Sequence, residues 1–383
     1  MNIAFLTPEY PHPKVGHSAG LGTSIGNLSK ELARQGHNIY VFVYGQKESL
    51  DFNDESVNIY LIGDKNYNFA KWFRYRKHIQ KYVQTVIDIH NITILEVPDW
   101  TGISAFMRFS VPIVMRFHGS DTYFCHLEKR QQKMKNRWFE QLAVNKAEAF
   151  IAPTSFAGQL SKRLFKIQDD KPVATIHYGL QLENFINTNP SSYEAHTVLY
   201  IGTLIRKKGV FELPEILKHV KKQVPNAKLL IIGSDAPDIV SGNTSTWELL
   251  KNSFETSLLR DVHYFGKKPY HEVQEAIKTS HVCIFPSFAE TLGMVTIESM
   301  ALQKPVVNSS IGWAQELIID RETGFLVHPK DHVLFAERII SLLQNKDKCL
   351  TIGKAARSLV EDRFDIRKQA VKNIQFYQDI SRS

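Results

Sequence analysis

Cysteine is scarce in this chain of 383 residues, and its three copies, Cys125, Cys283 and Cys349, are odd in number and far apart. That spacing fits neither a disulfide framework nor a zinc site, and a reducing cytoplasm is the expected compartment. No run of about 18 apolar residues occurs, so no segment reads as a membrane span. The opening MNIAFLTPEY lacks a basic leader and a small-residue cleavage site, which argues against export. No Asp-x-Asp pair follows a strand-like run, so a divalent metal held in that way is not expected. A Gly-x-Gly-x-x-Gly with a downstream acid is also missing, which weakens a dinucleotide reading.

What is present describes a globular protein, with 43% hydrophobic and 22% charged residues. The length favours two domains of roughly 150–200 residues each. Part of the net charge of +8 is local. Residues 71–81 (KWFRYRKHIQK) hold five lysines and arginines and no acid, and residues 126–137 hold five against Glu128. Interleaved with Trp72, Phe73 and Tyr75, such cations suit a nucleic acid or an anionic membrane, or simply a solvated helix face.

Short β-branched runs alternate with helical patterns through most of the chain. IAFLT (3–7), IYVFVY (39–44), ITILEVP (92–98), VPIVMRFH (111–118) and AFIAPTS (149–155) form a first set. A polar stretch, 182–197, reads as a linker. VLYIGTL (198–204), AKLLIIGS (227–234), VHYFG (262–266), VCIFPS (282–287) and PVVNSS (305–310) form a second. Runs that are apolar on both faces and separated by helices predict two doubly wound α/β sheets, with ligands beyond the strands' carboxyl ends. Helices are predicted near 23–35, 210–224, 270–279 and 294–302, with an added one over 247–259. A closing amphipathic helix spans 364–380 and carries Ile366, Ala370, Ile374 and Tyr377 on one face.

Four stretches beyond those strands carry chemical possibilities. After the first strand, Gly20 and Gly22 precede a helix capped near Thr23 or Ser24. Such a loop lets backbone approach a phosphate or sugar, or is a plain strand–helix junction. In RFHGSDTY (116–123), His118 could bind a hydroxyl or move a proton, with Asp121 orienting it or a ligand such as the acceptor, or His118 could be structural. Arg206, Lys207 and Lys208 form a basic turn that could neutralise a departing diphosphate, or could be an ordinary turn. In FAETLGMVTIESM (288–300), the amides of Leu292, Gly293 and Met294 open a helix. Glu298 there could accept from ribose hydroxyls and Glu290 from a sugar. The two acids could equally cap and solvate the helix start.

Together these stretches resemble the retaining glycosyltransferases of family 4, the "group 1" glycosyl transferases that include sucrose and sucrose-phosphate synthases. The resemblance spans nearly the whole chain and is most specific over 285–327, where Glu290 and Glu298 keep the family's seven-residue separation. It implies the GT-B fold, two Rossmann-like doubly wound parallel-sheet domains with an active-site cleft between them. The boundaries are placed at 1–185 for an acceptor domain, 186–363 for a donor domain and 364–383 for a helix crossing back to the first. By resemblance, Lys208 contacts the donor diphosphate, Glu290 the transferred sugar and Glu298 the ribose. Leu292, Gly293 and Met294 supply amides, Gly20 lies near the diphosphate and His118 near the sugar's hydroxyls. Two positions depart from the family. Thr203 stands where many relatives have a phosphate-binding arginine, for which Arg206 is the candidate substitute, and Tyr178-Gly179 replaces the usual Asn-Gly.

The expected reaction moves a sugar from a UDP- or GDP-sugar to a hydroxyl of a saccharide or lipid-linked acceptor, with retention. No metal or other cofactor and no nucleic acid is expected to take part. The setting expected is cell-surface polysaccharide or glycolipid synthesis at the inner face of the plasma membrane. A nucleotide-sugar epimerase and a non-catalytic nucleotide-sugar or polyanion binder remain as rivals, whereas a phosphorylase would want a lysine-bound cofactor site that the sequence does not offer.

Overall fold

The computed structural model describes residues 1–16, 18 and 20–382. They divide into two units, Met1–Gln181 with Asp365–Ser383, and Leu182–Phe364. The first cut thus falls at 181/182, where the sequence places it at 185/186. Leu182 and Phe185 are buried, so the start of the presumed linker is part of the second unit's packing.

The first unit is built on eight strands: β1 (Asn2–Thr7), β2 (Asn38–Gln46), β3 (Leu50–Asp54), β4 (Val57–Gly63), β5 (Ile94–Pro98), β6 (Ile113–Arg116), β7 (Ala149–Ala152) and β8 (Val173–Thr175). Their order is β3-β4-β2-β1-β5-β6-β7-β8, and only β3–β4 is antiparallel. Alternate side chains of one strand serve two layers. Ile3 and Phe5 pack with Ile25, Leu28 and Tyr377, while Ala4 and Leu6 pack with Ile79 and Val83. Burial on both faces explains why the parallel strands read as unbroken apolar runs. The β3–β4 hairpin escapes such reading because its two-residue turn is Glu55-Ser56 rather than a glycine pair. Both residues take positive φ, 46° and 70°, and Asn53 Oδ1 accepts from the Ser56 amide.

The second unit has six parallel strands: β9 (Thr197–Ile201), β10 (Lys228–Ile232), β11 (Val262–Tyr264), β12 (Val282–Phe285), β13 (Val306–Ser309) and β14 (Phe325–Val327), ordered β11-β10-β9-β12-β13-β14. The order reverses between β9 and β12 here, and between β1 and β5 in the first unit. At such reversals the following loops diverge and leave room for a ligand. The helix expected over 247–259 is broken in two, Thr246–Ser253 and Thr256–Leu259, because extended Phe254 turns inward and is buried.

The last helix, Ile366–Arg382, belongs to the first unit and lies on its sheet through Ile366, Ala370 and Tyr377. A buried polar network fixes it. Arg116 on β6 pairs with Glu96 on β5 at 2.7 and 2.8 Å, and its Nη2 also donates to Asn373 Oδ1. The Tyr377 hydroxyl donates to the same carboxylate. With every partner present the buried charges are compensated, and removing one leaves the other stranded. Arg116→Ala should therefore cost the first unit about 3–5 kcal/mol in urea unfolding. Replacing Arg116 and Glu96 together by Met and Leu should cost much less, and equal losses would show that the charges are not coupled.

Candidate active site

The loops after β9 and β12 are locked together. Beyond β9 the chain makes a 3-10 turn, Arg206–Lys208, that ends on Gly209 at φ 72°. A side chain at Gly209 would place its Cβ 1.9 Å from the Pro286 carbonyl oxygen, so only glycine permits this approach. The Lys207 carbonyl accepts from the amides of Phe288 (2.7 Å) and Ala289 (3.3 Å). This register brings Lys208 Nζ onto Glu290 Oε1 as an ion pair, with Ser287 Oγ donating to the same oxygen at 3.3 Å. Both ends are mostly enclosed, the side chains being 26% and 13% exposed.

Gly293 follows at φ 96°, in the left-handed region, and opens the helix Met294–Ala301. The first-turn amides of a helix have no i−4 acceptor; the Thr296 amide here turns back to the Gly293 carbonyl at 3.1 Å, and the amides ahead of it can meet an oxyanion. One turn further on, buried Glu298 accepts from the Tyr270 hydroxyl at 2.7 Å. Burial raises the carboxyl's pKa above its usual 4.5, and burial together with Glu298 raises that of Tyr270. Lys208, Glu290, Gly293 and Glu298 therefore gather at the strand reversal of the second unit.

Arg206 is engaged elsewhere. Its Nε and Nη2 form a bidentate pair with Asp238 at 2.7 and 2.9 Å, and the guanidinium covers Phe211. Asp238 also accepts from the amide and hydroxyl of Ser241. The expected free phosphate-binding fork is thus committed to holding the connection that follows β10.

In the first unit, His118 follows β6. The carboxylate of buried Asp99, just beyond β5, accepts from the amides of His118 (2.9 Å) and Gly119 (3.3 Å). Burial, with nearby Glu140, pushes Asp99 up to about 7. The His118 ring stacks on Tyr178, and its Nδ1 shares a 2.7 Å hydrogen bond with the Tyr178 hydroxyl. Desolvation and the Arg116 charge pull its pKa down to about 3, so the imidazole is neutral at physiological pH.

Asp121 does not orient His118, contrary to the sequence-based expectation. Its carboxylate takes Arg130 Nη2 (3.0 Å), Asn136 Nδ2 (3.1 Å) and Cys125 Sγ (3.3 Å) and so ties its own helix to the next. Asp99 and Tyr178 position the histidine instead. The glycine loop also differs from expectation. The helix begins at Gly20, ahead of Thr23, and the Gly22 amide donates to Glu9 Oε2 at 3.1 Å, while among the described residues nothing beyond the chain neighbours lies within 4 Å of a Cβ placed on Gly20. His17 and Ala19 of that loop lie outside the described residues. Tyr270, Asp99 and Asp238 went unread because each meets its partner only through the fold, and Tyr178 reads in the sequence only as a departure from the family. Of the unread three, Asp99 left a signal, an acid one residue beyond a buried strand.

Among the described residues, no group of three or more His, Cys, Asp or Glu side chains is placed to share a metal ion. No helix among them is long and apolar enough to cross a membrane.

Comparison with known proteins agrees with this geometry. Residues 183–359 match the family described as "Glycosyl transferases group 1", and residues 18–184 match "Glycosyltransferase Family 4". An uncharacterised glycosyltransferase of Methanocaldococcus jannaschii is 22% identical over 98% of both chains. Sucrose-phosphate synthase of Thermosynechococcus elongatus shares the fold at a TM-score of 0.80, 20% identity and 99% coverage of each chain. HepE of Anabaena, solved with UDP and glucose, does so at 0.75, 16% identity and 99% coverage of each chain. The two family matches adjoin and leave only the chain ends uncovered. The chain belongs to the group 1, family 4 glycosyltransferases, and its two parallel-sheet α/β units are those of the GT-B fold.

The buried Glu298 carboxyl gives a pH-dependent test. Because its folded pKa is raised, the cost of ionising it is absent below the unfolded value near 4.5 and grows as pH rises through the folded value. Glu298→Gln keeps a partner for Tyr270 and removes that charge. It should raise the melting temperature at pH 7 relative to the unsubstituted protein, with the gap closing below about pH 4.5. A variant less stable at pH 7 would contradict the assigned burial cost.

Proposed function

We propose that the protein transfers a sugar from a nucleotide diphosphate sugar to an acceptor hydroxyl with retention at the anomeric carbon, without a metal. The observation that carries this reading is the Lys208–Glu290 pair, held where the strand order reverses beside the start of the Gly293 helix. A diphosphate fits there chemically. Lys208 would meet its charge as the sugar–oxygen bond breaks, and the amides of Leu292, Gly293 and Met294 would hold the phosphate and the sugar. Glu298, kept in place by Tyr270, would take the ribose hydroxyls. Glu290 would hold the hydroxyls of the migrating sugar.

In the proposed step the bond from the anomeric carbon to the diphosphate oxygen breaks, and the acceptor oxygen bonds that carbon on the same face. The acceptor's proton passes to the departing diphosphate oxygen. His118, neutral at physiological pH, would serve as a hydrogen-bonding partner for a sugar hydroxyl rather than as a proton store. Gly20, beside which no described residue would crowd a Cβ, would let the donor approach the N-terminal loop. Arg206 would act indirectly, by holding the turn that carries Lys208.

The acceptor in this reading is a saccharide or lipid-linked saccharide. A cavity of about 730 Å³ in the first unit, near the carboxyl ends of β1 and β2, is lined by Lys14, Gln46, Lys47, Glu48 and apolar Val15, Leu50 and Leu61. That mixture of polar and apolar groups suits a sugar with an apolar neighbour. A UDP-sugar donor is supported by the bound state in which HepE was solved. Peripheral contact with an anionic membrane and work on its cytoplasmic side, in cell-surface polysaccharide or glycolipid synthesis, complete the reading. The buried free cysteines suit a reducing compartment.

Glu290→Gln should lower kcat by about 10²-fold or more with a smaller change in donor KM, and Lys208→Ala should lower kcat/KM by a similar factor. Unchanged turnover in both would remove this pair from catalysis, and donor turnover without acceptor would favour an epimerase. Full activity should persist in excess chelator, with the product's anomeric configuration read by NMR. Loss of activity that returns with a divalent cation would overturn the metal-free part of the proposal.

A further inference from the structure

The two basic stretches, far apart in sequence, meet in the first unit. Residues 71–81 open the helix Lys71–His90, and residues 134–137 open the helix Met134–Lys146. Their aromatic rings form one cluster. Trp72 lies 6.0 Å from Trp138, 5.1 Å from Phe139 and 5.5 Å from Phe106, and Phe73 lies 5.6 Å from Phe106. Buried Arg76 braces it from beneath, donating to the Trp72, Thr101 and Gly102 carbonyls and covering Phe139.

The outer part of this cluster faces solvent, with Trp138 49% exposed and Trp72 and Phe73 more sheltered. Just ahead of the two helix starts in the sequence, or at them, Phe69 is 78% exposed and Met134 88%. Large apolar side chains exposed together at a surface mark an interaction face. Exposed Lys71, Arg74 and Lys133 stand among them, and their side chains make no hydrogen bond or ion pair with the described residues. Tryptophan and phenylalanine interleaved with unpaired cations have the chemistry of a lipid headgroup boundary, where rings enter the acyl border and cations meet anionic headgroups. Two copies of such a face would repel each other.

Position adds to the argument. Both helices precede a strand of a parallel sheet, so their first turns lie at the sheet's carboxyl edge, the edge from which the His118 loop emerges. We propose that Phe69, Trp72, Met134 and Trp138, flanked by Lys71 and Lys133, form a bilayer-insertion face that seats the first unit on an anionic membrane. This deepens the peripheral-membrane part of the function proposed above, and it presents that carboxyl edge to an acceptor anchored in lipid.

The test uses the full chain with vesicles of phosphatidylcholine alone or mixed equally with phosphatidylglycerol, read by cosedimentation and by quenching of tryptophan fluorescence with brominated lipid. Binding to the mixed vesicles is expected, with quenching and with a fraction that resists high salt. Phe69→Asp with Met134→Asp, both highly exposed, should weaken binding about tenfold or more and abolish quenching. Lys71→Glu with Lys133→Glu should abolish the preference for phosphatidylglycerol. The melting-temperature rise with UDP should be unchanged in all variants. Vesicle binding that survives both pairs of substitutions would overturn this face while leaving a peripheral membrane contact. No vesicle binding by the unsubstituted protein would overturn both. Binding without quenching that vanishes at moderate salt would assign the face to an acidic polymer. Lack of any UDP response would count against the transferase reading alone.

Discussion

The candidate site depends on one close approach of backbone to backbone. The turn after β9 lies against the loop after β12 so tightly that Gly209 has no room for a side chain beside Pro286. Two amides of that loop close on the Lys207 carbonyl. The Lys208–Glu290 pair follows from this register. It sets the lysine of one strand end against the glutamate of the next, and it sets the angle at which the chain reaches Gly293 and starts its helix. A shift of one residue in either loop would separate the charges. Backbone packing therefore holds the Lys208–Glu290 pair in place, and in the proposed reaction that preorganisation would keep a cation ready for a developing negative charge.

Burial does a second kind of work. His118 loses its proton to desolvation and to the Arg116 charge, and Asp99 beneath it is pushed toward neutrality by burial and Glu140. The His118 imidazole is thus a neutral hydrogen-bonding group above a compensated ion pair, since Arg116 also anchors the C-terminal helix through Glu96, Asn373 and Tyr377. One arginine contributes both to the fold of the first unit and to the protonation state of its loop. Glu298 shows the same economy, as its single tyrosine partner fixes the carboxylate while burial withholds further solvation.

Much of the fold was legible because parallel strands buried on two faces leave short apolar runs, and helices between them leave amphipathic ones. The β9–β12 loops were legible for a different reason: Lys208, Glu290 and Glu298 sit immediately beyond such runs, where an α/β sheet binds ligands. The β3–β4 hairpin was hidden by a turn without glycine. The partners were hidden too, because linear spacing records which residues follow a strand and not which side chains meet. Asp121 was assigned to His118 on nearness in sequence, yet its own helix leads its carboxylate to Arg130 and Asn136. Arg206 looked free beside Lys208, and its distant acid, Asp238, belongs to a connection whose path no pattern reveals.

The central claim is that the Lys208–Glu298 region binds a nucleotide diphosphate. A crystal structure of the chain with UDP tests it most directly. The account predicts the diphosphate at Lys208 Nζ and the amides around Gly293, with both ribose hydroxyls on the Glu298 carboxylate. A nucleotide bound elsewhere, with the Lys208–Glu290 pair and the Glu298–Tyr270 bond undisturbed and uncontacted, would contradict it.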